Sequence, residues 1–329
     1  MAAMTRKAEQ AQHDIRYVSS TVAYLDILGF RDTINRSAKS RHLVGRLYWA
    51  LRNEQERQLR RRAAAAAKES RETDIAFTAF SDSLLVSYPD STEEAIALVC
   101  RRVSAAQINL ARYGLFLRGA MATGDLLSEE GDGWRIAFGP AFIAAYELEN
   151  MAVWPRLLVH PGLLSQISDF KRFENEHSVY FVRESDSGLV YLDYLITSAV
   201  RRVRRALLGE SRMVDPLVKL LLTHSKSISE QMINLRQSTK DDGTLLHIHT
   251  KYRLLAAYHN RTVDAICTWI EDVRPEQGLF SYGPIEFHSL SEDQLRTTRR
   301  RLEETVWAGE SRRQFCERLQ ELRIELESP

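Results

Sequence analysis

The chain has 329 residues, which is enough for one large domain or two ordinary ones with a substantial core. A hydrophobic content of 44% and a charged content of 27% are typical of a globular protein, and the net charge of +1 excludes a general attraction to nucleic acid or anionic membrane. Three widely separated cysteines match no metal-binding spacing. No apolar run reaches the roughly 18–20 residues of a membrane span, and the N-terminus lacks a signal peptide, so we expect a cytoplasmic protein.

Strands and helices alternate through the first half of the chain. In chain order, the pattern predicts a strand at Val22–Leu28, a helical stretch from Arg31 to Arg71, strands at Asp74–Phe80 and Leu84–Tyr88, a helix from Ser91 to Tyr113, strands at Leu115–Thr123 and Trp134–Phe138, and a helix ending at Glu149. Gly124 is expected to end the strand before it. The first six elements form a split βαββαβ pattern, which is ferredoxin-like, and the predicted fold class is α+β.

The second half of the chain is predicted to be mixed and then mainly helical. The pattern indicates a strand at Arg156–His160, a hairpin of Val179–Arg183 with Leu189–Tyr194, and helices at Leu195–Leu208, Pro216–Gln237, Leu245–Val273 and Ser291–Leu326. No internal repeat is evident.

Two carboxylates stand at the ends of predicted strands. Asp26 ends the apolar run V-A-Y-L-D, and Asp82 lies in the turn of F-S-D-S-L-L. Taken singly, Asp26 is also typical of a helix cap and Asp82 of a turn residue. In a βαββαβ fold, however, the first strand lies beside the central hairpin, so the two side chains can converge. Carboxylate oxygens in such a place suit Mg²⁺ or Mn²⁺.

Gly29 follows Asp26 at the junction of the first strand with the next helix. Backbone N–H groups at such a junction are free to bind phosphate oxygens. The chain has neither the G-x-x-x-x-G-K-[ST] loop nor the G-x-G-x-x-G motif, which disfavours P-loop and Rossmann chemistry. It also lacks the G-x-S-x-G motif of the α/β-hydrolases.

Four short motifs occur in an order that resembles a known family. They are Y-L-D-I-L-G-F at Tyr24–Phe30, F-S-D-S-L at Phe80–Leu84, R-G-A-M-A-T-G at Arg118–Gly124 and F-G-P-A-F-I-A-A-Y-E-L-E at Phe138–Glu149. Together they look like the catalytic domain of class III nucleotidyl cyclases. Most closely, they resemble the uridylate and cytidylate cyclases of Pycsar antiphage systems. The resemblance covers about residues 18–150.

The resemblance implies a metal-dependent cyclase. Asp26 and Asp82 match the ligands of two Mn²⁺ or Mg²⁺ ions, and Ile27 matches the position whose backbone carbonyl also binds metal. Leu28, Gly29 and Phe30 match the turn that holds the triphosphate. The implied reaction converts UTP, or CTP, to the 3′,5′-cyclic monophosphate and pyrophosphate. The implied assembly is a homodimer with shared sites, and the product would act on a cyclic-nucleotide-sensing effector, with no nucleic-acid or membrane partner.

Several positions depart from the adenylate cyclases of this class. Thr78 and Pro140 stand where those enzymes have the Lys and Asp that read adenine. Ile143 and Glu147 stand where they have the Asn that orients the ribose and the Arg that stabilises the transition state. The chain is therefore either a cyclase of another base specificity or a degenerate one, and its two aspartates favour the first option.

Two further residues are candidates for contact with the substrate. Tyr48, between Leu47 and Trp49 on the first helix, could fill the space that a purine would need, and its alternative role is that of a core aromatic. Arg118 could face the phosphates, and its alternative is an exposed arginine on a strand.

The resemblance also suggests how the chain is divided. We predict a flexible N-terminus at residues 1–17, a nucleotidyl cyclase domain at 18–155 and a C-terminal extension at 156–329. Two rival functions stay open: a catalytically degenerate, nucleotide-binding sensor with the cyclase fold, and a helical interaction or nucleic-acid-binding protein that uses the basic clusters Arg57–Arg62 and Arg201–Arg205.

Overall fold

The computed structural model describes residues 16–67, 75–131, 134–207, 214–236, 242–272 and 312–326. The strands are β1 (Val18–Ile27), β2 (Ala76–Phe80), β3 (Ser83–Tyr88), β4 (Leu117–Gly131), β5 (Trp134–Phe138), β6 (Leu157–Val159), β7 (Phe181–Arg183) and β8 (Val190–Leu192). The helices are α1 (Phe30–Ser37), α2 (Arg41–Ala66), α3 (Glu93–Ala111), α4 (Pro140–Glu149), α5 (Pro161–Leu164), α6 (Phe170–His177), α7 (Tyr194–Leu207), α8 (Val214–Arg236), α9 (Asp242–Asp272) and α10 (Arg312–Gln320).

The strands form one sheet in the order β2-β3-β1-β4-β6-β8-β7, with β5 paired to β4 alone. The first four strands are antiparallel in the order β2-β3-β1-β4, which is the order that the split βαββαβ pattern requires. The predicted α+β class and the helical C-terminal part are therefore confirmed. Strand β6 runs parallel to β4, and β8 and β7 extend the same sheet beyond it.

The predicted elements differ from the structure in two places within the first half. The helical stretch predicted from Arg31 to Arg71 is interrupted between α1 and α2, because the Ser40 side chain accepts a hydrogen bond from the Leu43 N–H and starts a new helix. Gly124 does not end β4, as predicted, but lies within it. Its φ of +151° is one that only glycine adopts readily, and the strand continues past it into its ladder with β5.

Two predicted segments lie largely outside the described residues. Residues 1–15 of the predicted flexible N-terminus are among them, as are residues 291–311 of the predicted last helix. Helix α10 occupies part of the remainder of that segment. Among the described residues, no helix is apolar over a length that could cross a membrane.

The two faces of the sheet pack against different helices. Leu25 and Leu84 are cross-strand partners in a buried cluster that α2 and α3 cover. On the opposite face, Tyr24 packs against Ala145 of α4. Farther along that face, Leu158 of β6 belongs to a buried cluster that also contains residues of α7, α8 and α9. The C-terminal helices and α4 therefore share one face of the sheet.

A buried chain of hydrogen bonds ties these C-terminal elements together. The Tyr194 hydroxyl lies 2.7 Å from His224 Nε2, the Nδ1 atoms of His224 and His259 lie 3.1 Å apart, and His259 Nε2 lies 3.0 Å from the carbonyl of Leu322. Because a carbonyl only accepts, His259 donates from Nε2, and burial, which lowers the pKa of both rings, leaves its Nδ1 unprotonated as an acceptor. His224 then donates from Nδ1 and accepts the Tyr194 hydroxyl at Nε2. Both rings are therefore neutral, with opposite tautomers.

The first prediction is that both histidines stay neutral well into the acidic range. Burial lowers the pKa of His259 to about 4, and burial followed by the neighbouring ring lowers that of His224 well below its usual value. Since a histidine with a depressed pKa binds its proton only on unfolding, stability is fully present above pH 6.5 and falls below it. The free energy of unfolding falls by about 1.4 kcal/mol per pH unit for each ring, until the pH reaches the pKa of that ring in the folded protein.

The measurement is an NMR titration of the imidazole nitrogens. It follows each ring individually, so the titration of buried carboxylates does not contribute to the signal. At pH 5.5 we expect His224 to be protonated on Nδ1 and His259 on Nε2. Titration of either ring near pH 6.5, or the same tautomer in both, would contradict the hydrogen-bond chain.

Candidate active site

The sheet brings the two predicted aspartates together. Asp26 pairs with Ser83 at the start of β3, and the Ile27 N–H donates to the carbonyl of Asp82 over 2.9 Å. Asp82 occupies the tight turn between β2 and β3, where the neighbouring Ser81 has a left-handed φ of 55°. Burial raises the pKa of Asp26, and the nearby carboxylate of Asp82 adds to that shift. The strand order therefore places Asp26 and Asp82 on neighbouring backbone positions within electrostatic range of each other, and their joint binding of metal stays a prediction.

Arg118 contacts Asp26 and Glu149, and we term Asp26, Asp82 and Glu149 the acidic cluster. Its Nε lies 3.0 Å from Asp26 Oδ2 and 2.8 Å from Glu149 Oε1, although only the contact with Asp26 has the alignment of a hydrogen bond. The Arg118 side chain is 26% exposed and that of Asp26 is 20% exposed. Arg118 is thus not the exposed strand arginine of its alternative role, and its role in binding phosphate stays a prediction.

Gly119 allows β4 to lie this close to β1. A Cβ atom at this position would come within 2.2 Å of the Tyr24 carbonyl oxygen and 2.9 Å of the Leu25 Cα, both of which belong to the backbone of β1. Only a residue without a side chain fits between the two strands. The close approach places Arg118 directly opposite Asp26 in the register.

Glu149 is a member of the cluster that the sequence reasoning missed. Its side chain is 5% exposed, and burial raises its pKa while Arg118 lowers it. The one available signal was its place as the last residue of α4, since an acidic residue is unfavourable at a helix C-terminus without a compensating cation. Nothing in the sequence indicated that this cation would be Arg118.

Tyr24 connects the acidic cluster to an aromatic one. Its hydroxyl lies 2.8 Å from Ser83 Oγ, and its ring makes edge contacts with Phe142 and Tyr146 of α4. Burial raises the pKa of Tyr24, the hydrogen bond to Ser83 lowers it, and the nearby carboxylates, Asp26 first, raise it further. The phenol is therefore protonated and available as a hydrogen-bond donor beside the carboxylates.

The turn after β1 has the geometry expected of a strand-to-helix junction. Gly29 is the N-cap of α1 with φ 68° and ψ 23°, a left-handed conformation that favours glycine. Its carbonyl accepts from the Thr33 N–H, and the Leu28 N–H donates to the carbonyl of Phe116. The first N–H groups of α1, from Phe30 onward, have no acceptor within their own helix and point out of its N-terminal end.

The other predicted substrate contacts, Thr78 and Tyr48, lie on opposite faces of the sheet. Thr78 of β2 pairs with Leu85, which pairs with Tyr24, so Thr78 shares the face of the sheet that carries Asp26. Tyr48 lies on α2, whose buried residues pack on the opposite face. Its side chain is 52% exposed and accepts a hydrogen bond from Arg52, so the alternative of a core aromatic is wrong. The structure does not bring Tyr48 to Asp26 within one chain.

The donors present fit a hard divalent cation. The carboxylates of Asp26 and Asp82 and the backbone carbonyl of Ile27 are all oxygen ligands, which Mg²⁺ and Mn²⁺ prefer. Among the described residues, no cluster of three or more histidine, cysteine, aspartate or glutamate side chains is arranged to hold a metal ion. Phosphate oxygens and water would therefore have to complete the coordination.

Comparisons with known proteins give remote structural likenesses. No protein-family model and no curated protein matches the chain. The chain is similar to the adenylyl cyclase CyaB from P. aeruginosa (14% identity, TM-score 0.38, 54% of this chain and 93% of that one). It is also similar to the guanylyl cyclase domain of the RhoGC fusion protein from Blastocladiella emersonii (14% identity, TM-score 0.38, 54% of this chain and 96% of that one). A third similar structure is the guanylyl cyclase Cya2 (12% identity, TM-score 0.37, 54% of this chain and 91% of that one). Likenesses this remote carry no functional conclusion.

The second prediction concerns the charge balance of this cluster. Replacing Arg118 with Met leaves Asp26 and Glu149 partly buried without their cation, and we expect a loss of about 2–3 kcal/mol in the free energy of unfolding at pH 7. Since both carboxyls have raised pKa values when folded, the deficit should shrink as the pH falls and they take up protons. The measurement is urea unfolding at pH 7 and pH 5.

The control is Arg172→Met, which removes an exposed ion pair with Glu93 and should cost about 1 kcal/mol or less. The double variant Arg118→Met/Glu149→Gln should recover much of the lost stability. Equal losses for Arg118→Met and Arg172→Met would show that the cluster does not need its arginine.

Proposed function

We propose that the chain is a nucleotidyl cyclase that converts a pyrimidine nucleoside triphosphate, UTP in preference to CTP, to its 3′,5′-cyclic monophosphate and pyrophosphate. The observation that carries this proposal is the convergence of Asp26 and Asp82 on adjacent strand ends in the ferredoxin-like sheet. A glycine turn and a helix N-terminus follow Asp26 directly. The order of the four sequence motifs supports the same activity.

The reaction joins the ribose 3′ oxygen to the α-phosphorus and breaks the bond between that phosphorus and the oxygen that leaves with pyrophosphate. The hydroxyl loses its proton, and no oxidant or reductant is needed. Asp26, Asp82 and the Ile27 carbonyl would hold two divalent cations, which supply charge stabilisation and positioning for phosphoryl transfer. In the turn at Leu28, Gly29 and Phe30, the N–H groups of Gly29 and Phe30 would bind phosphate oxygens, while the Leu28 N–H holds the turn to the Phe116 carbonyl.

Pyrimidine selectivity is supported by the side chains that lie near Asp26, on its face of the sheet and at the start of α4. Thr78 is a short, neutral side chain on that face, and Pro140 and Ile143 supply no side-chain donor at the start of α4. These residues offer a purine edge neither a cation nor a carboxylate. A smaller base therefore fits the proposal better than adenine or guanine.

A homodimer is supported by exposed apolar side chains next to the site. Ile136 and Phe138 of β5 and Ile143 and Tyr146 of α4 are each about half exposed, and together they form what we term the β5–α4 surface. Tyr146 contacts Tyr24, which lies two residues before Asp26. A second copy that covers this surface would border the proposed site and complete it.

The wider role and the domain division are also proposals. The resemblance suggests that the cyclic product is a second messenger in antiphage defence and acts through a cyclic-nucleotide-sensing effector. Residues 18–155 would be the cyclase domain and residues 156–329 its extension. The extension adds β6, β7 and β8 to the sheet that carries Asp26.

A nucleotide-binding sensor without catalytic activity is a second candidate. The observation that favours it is the hydrogen bond from Arg118 to Asp26, which occupies an oxygen that a metal would use. Ile143 and Glu147, where related adenylate cyclases have an Asn and an Arg, agree with it. Metal-dependent release of pyrophosphate distinguishes the enzyme from the sensor.

The third prediction is that activity depends on both aspartates. The pure protein with Mn²⁺ should convert UTP, and CTP to a smaller extent, to a cyclic monophosphate that mass spectrometry identifies. Asp26→Asn and Asp82→Asn should each reduce the rate to below about 5% of the wild-type rate, because each removes a negative ligand while preserving the side-chain shape. Asp125→Asn, on β4 outside the cluster, is the matched control and should remain active.

The same assay tests the assembly. Specific activity should fall when the protein is diluted below the dissociation constant of the dimer, which sedimentation measures independently. Retention of more than a few per cent of activity in either aspartate variant rules out the metal assignment, and a fully active monomer rules out the shared site.

The fourth prediction concerns the base. Because Tyr48 is half exposed, Tyr48→Ala should cost about 1 kcal/mol or less in stability, so a change in selectivity cannot be attributed to unfolding. If Tyr48 excludes purines, the variant should raise the rates with ATP and GTP relative to UTP. Trp49→Ala, which removes the adjacent and equally exposed ring, is the control. If the rates with ATP and GTP relative to UTP are unchanged in Tyr48→Ala, Tyr48 does not select the base. A wild type that prefers ATP or GTP would refute pyrimidine selectivity.

A further inference from the structure

Helix α9 of the C-terminal part packs directly beside the proposed site. The rings of Phe116 and Tyr252 lie 5.9 Å apart in an edge contact. Leu28 and Leu148 are packed against the same buried cluster that contains Tyr252. Leu28 lies two residues after Asp26, Leu148 directly precedes Glu149, and Phe116 lies two residues before Arg118. The neighbour of Tyr252 on α9 is therefore held close to those carboxylates.

That neighbour is Lys251, a partly buried residue. Among the described residues it makes no hydrogen bond and no ion pair. It lies within electrostatic range of the site, because burial and then Arg118 lower the pKa of Lys251, while Asp26 and Glu149 raise it. An ammonium group in such a place, with no direct partner, is costly to keep charged and is well placed for an incoming anion.

The charges of the cluster explain why a second cation is needed there. Arg118 contacts both Asp26 and Glu149 through its Nε, so its single positive charge is already balanced by these two carboxylates. At the position where related adenylate cyclases have a cationic residue, this chain has the exposed carboxylate of Glu147. A triphosphate that approaches Asp26 therefore also meets the carboxylates of Asp82 and Glu149. Among the described residues, Lys251 is a cation within electrostatic range of them that makes no hydrogen bond or ion pair.

We infer that Lys251 binds the triphosphate of the substrate from within the same chain, so that α9 completes the site that β1 and β4 begin. This inference rests on the proposed function and assigns it a further substrate-binding residue. A lysine suits the role because its ammonium has three donors on a flexible stem and binds phosphate as a point charge. The C-terminal part is then a component of the active site and not an appended module.

The fifth prediction compares three variants of the full-length protein. Lys251→Gln should lower kcat/KM for UTP roughly 10- to 100-fold, the range expected for loss of one charged hydrogen bond to phosphate. Lys251→Arg, which keeps the charge, should restore most of the activity. Lys226→Gln, at an exposed position on α8, is the matched control and should behave as the wild type. Thermal unfolding of all three should match the wild type, because Lys251 has no partner to lose.

The outcomes separate the two proposals. If the wild type is active and Lys251→Gln is within twofold of it, Lys251 does not bind substrate, and the cyclase proposal stands. If the wild type releases no pyrophosphate from any of the four ribonucleoside triphosphates, the cyclase proposal fails. Calorimetry with Mn²⁺ and a non-hydrolysable UTP analogue then tests Lys251 alone. Affinity at least 10-fold weaker in Lys251→Gln supports the inference, whereas equal affinity, or no binding by the wild type, overturns it.

Discussion

The interaction on which this site depends is the sharing of one guanidinium by two carboxylates. Arg118 joins the end of β1, through Asp26, to the end of α4, through Glu149. Without that cation, Glu149 would be a buried charge and Asp26 would face both Glu149 and Asp82. Gly119 makes the arrangement possible, since no side chain fits between β4 and β1 at that position. The same cation also competes with any metal for Asp26, so cations that bind with the substrate must share this carboxylate or displace Arg118.

The two halves of the chain are joined by the sheet and by one layer of helices. The β6, β8 and β7 strands continue the sheet that carries Asp26, and α9 lies on the face where α4 ends. The buried hydrogen bonds of His224 and His259 hold the helices of this layer together. These hydrogen bonds connect α9, which carries Lys251, to α7 and α8, and this supports a phosphate-binding role for the residue.

The sequence predicted the features that depend on local chemistry. The bounds of α4 and the hairpin around Asp82 follow from proline, glycine and turn residues, and the convergence of Asp26 with Asp82 follows from a common strand order. The break at Ser40 was missed because it depends on a single side-chain hydrogen bond within an otherwise helical pattern. Glu149 and Lys251 were missed for a different reason: each acquires its surroundings from residues far away in the chain, and no local pattern encodes that proximity.

The central claim is that Asp26 and Asp82 bind divalent cations together with a nucleoside triphosphate. The most direct measurement is a crystal structure of the wild-type protein with Mn²⁺ and a non-hydrolysable UTP analogue, with anomalous scattering used to locate manganese. The account predicts manganese bound to both aspartates, with the triphosphate extending toward the Gly29 turn. Manganese absent from these carboxylates, or a nucleotide bound elsewhere on the chain, would contradict it.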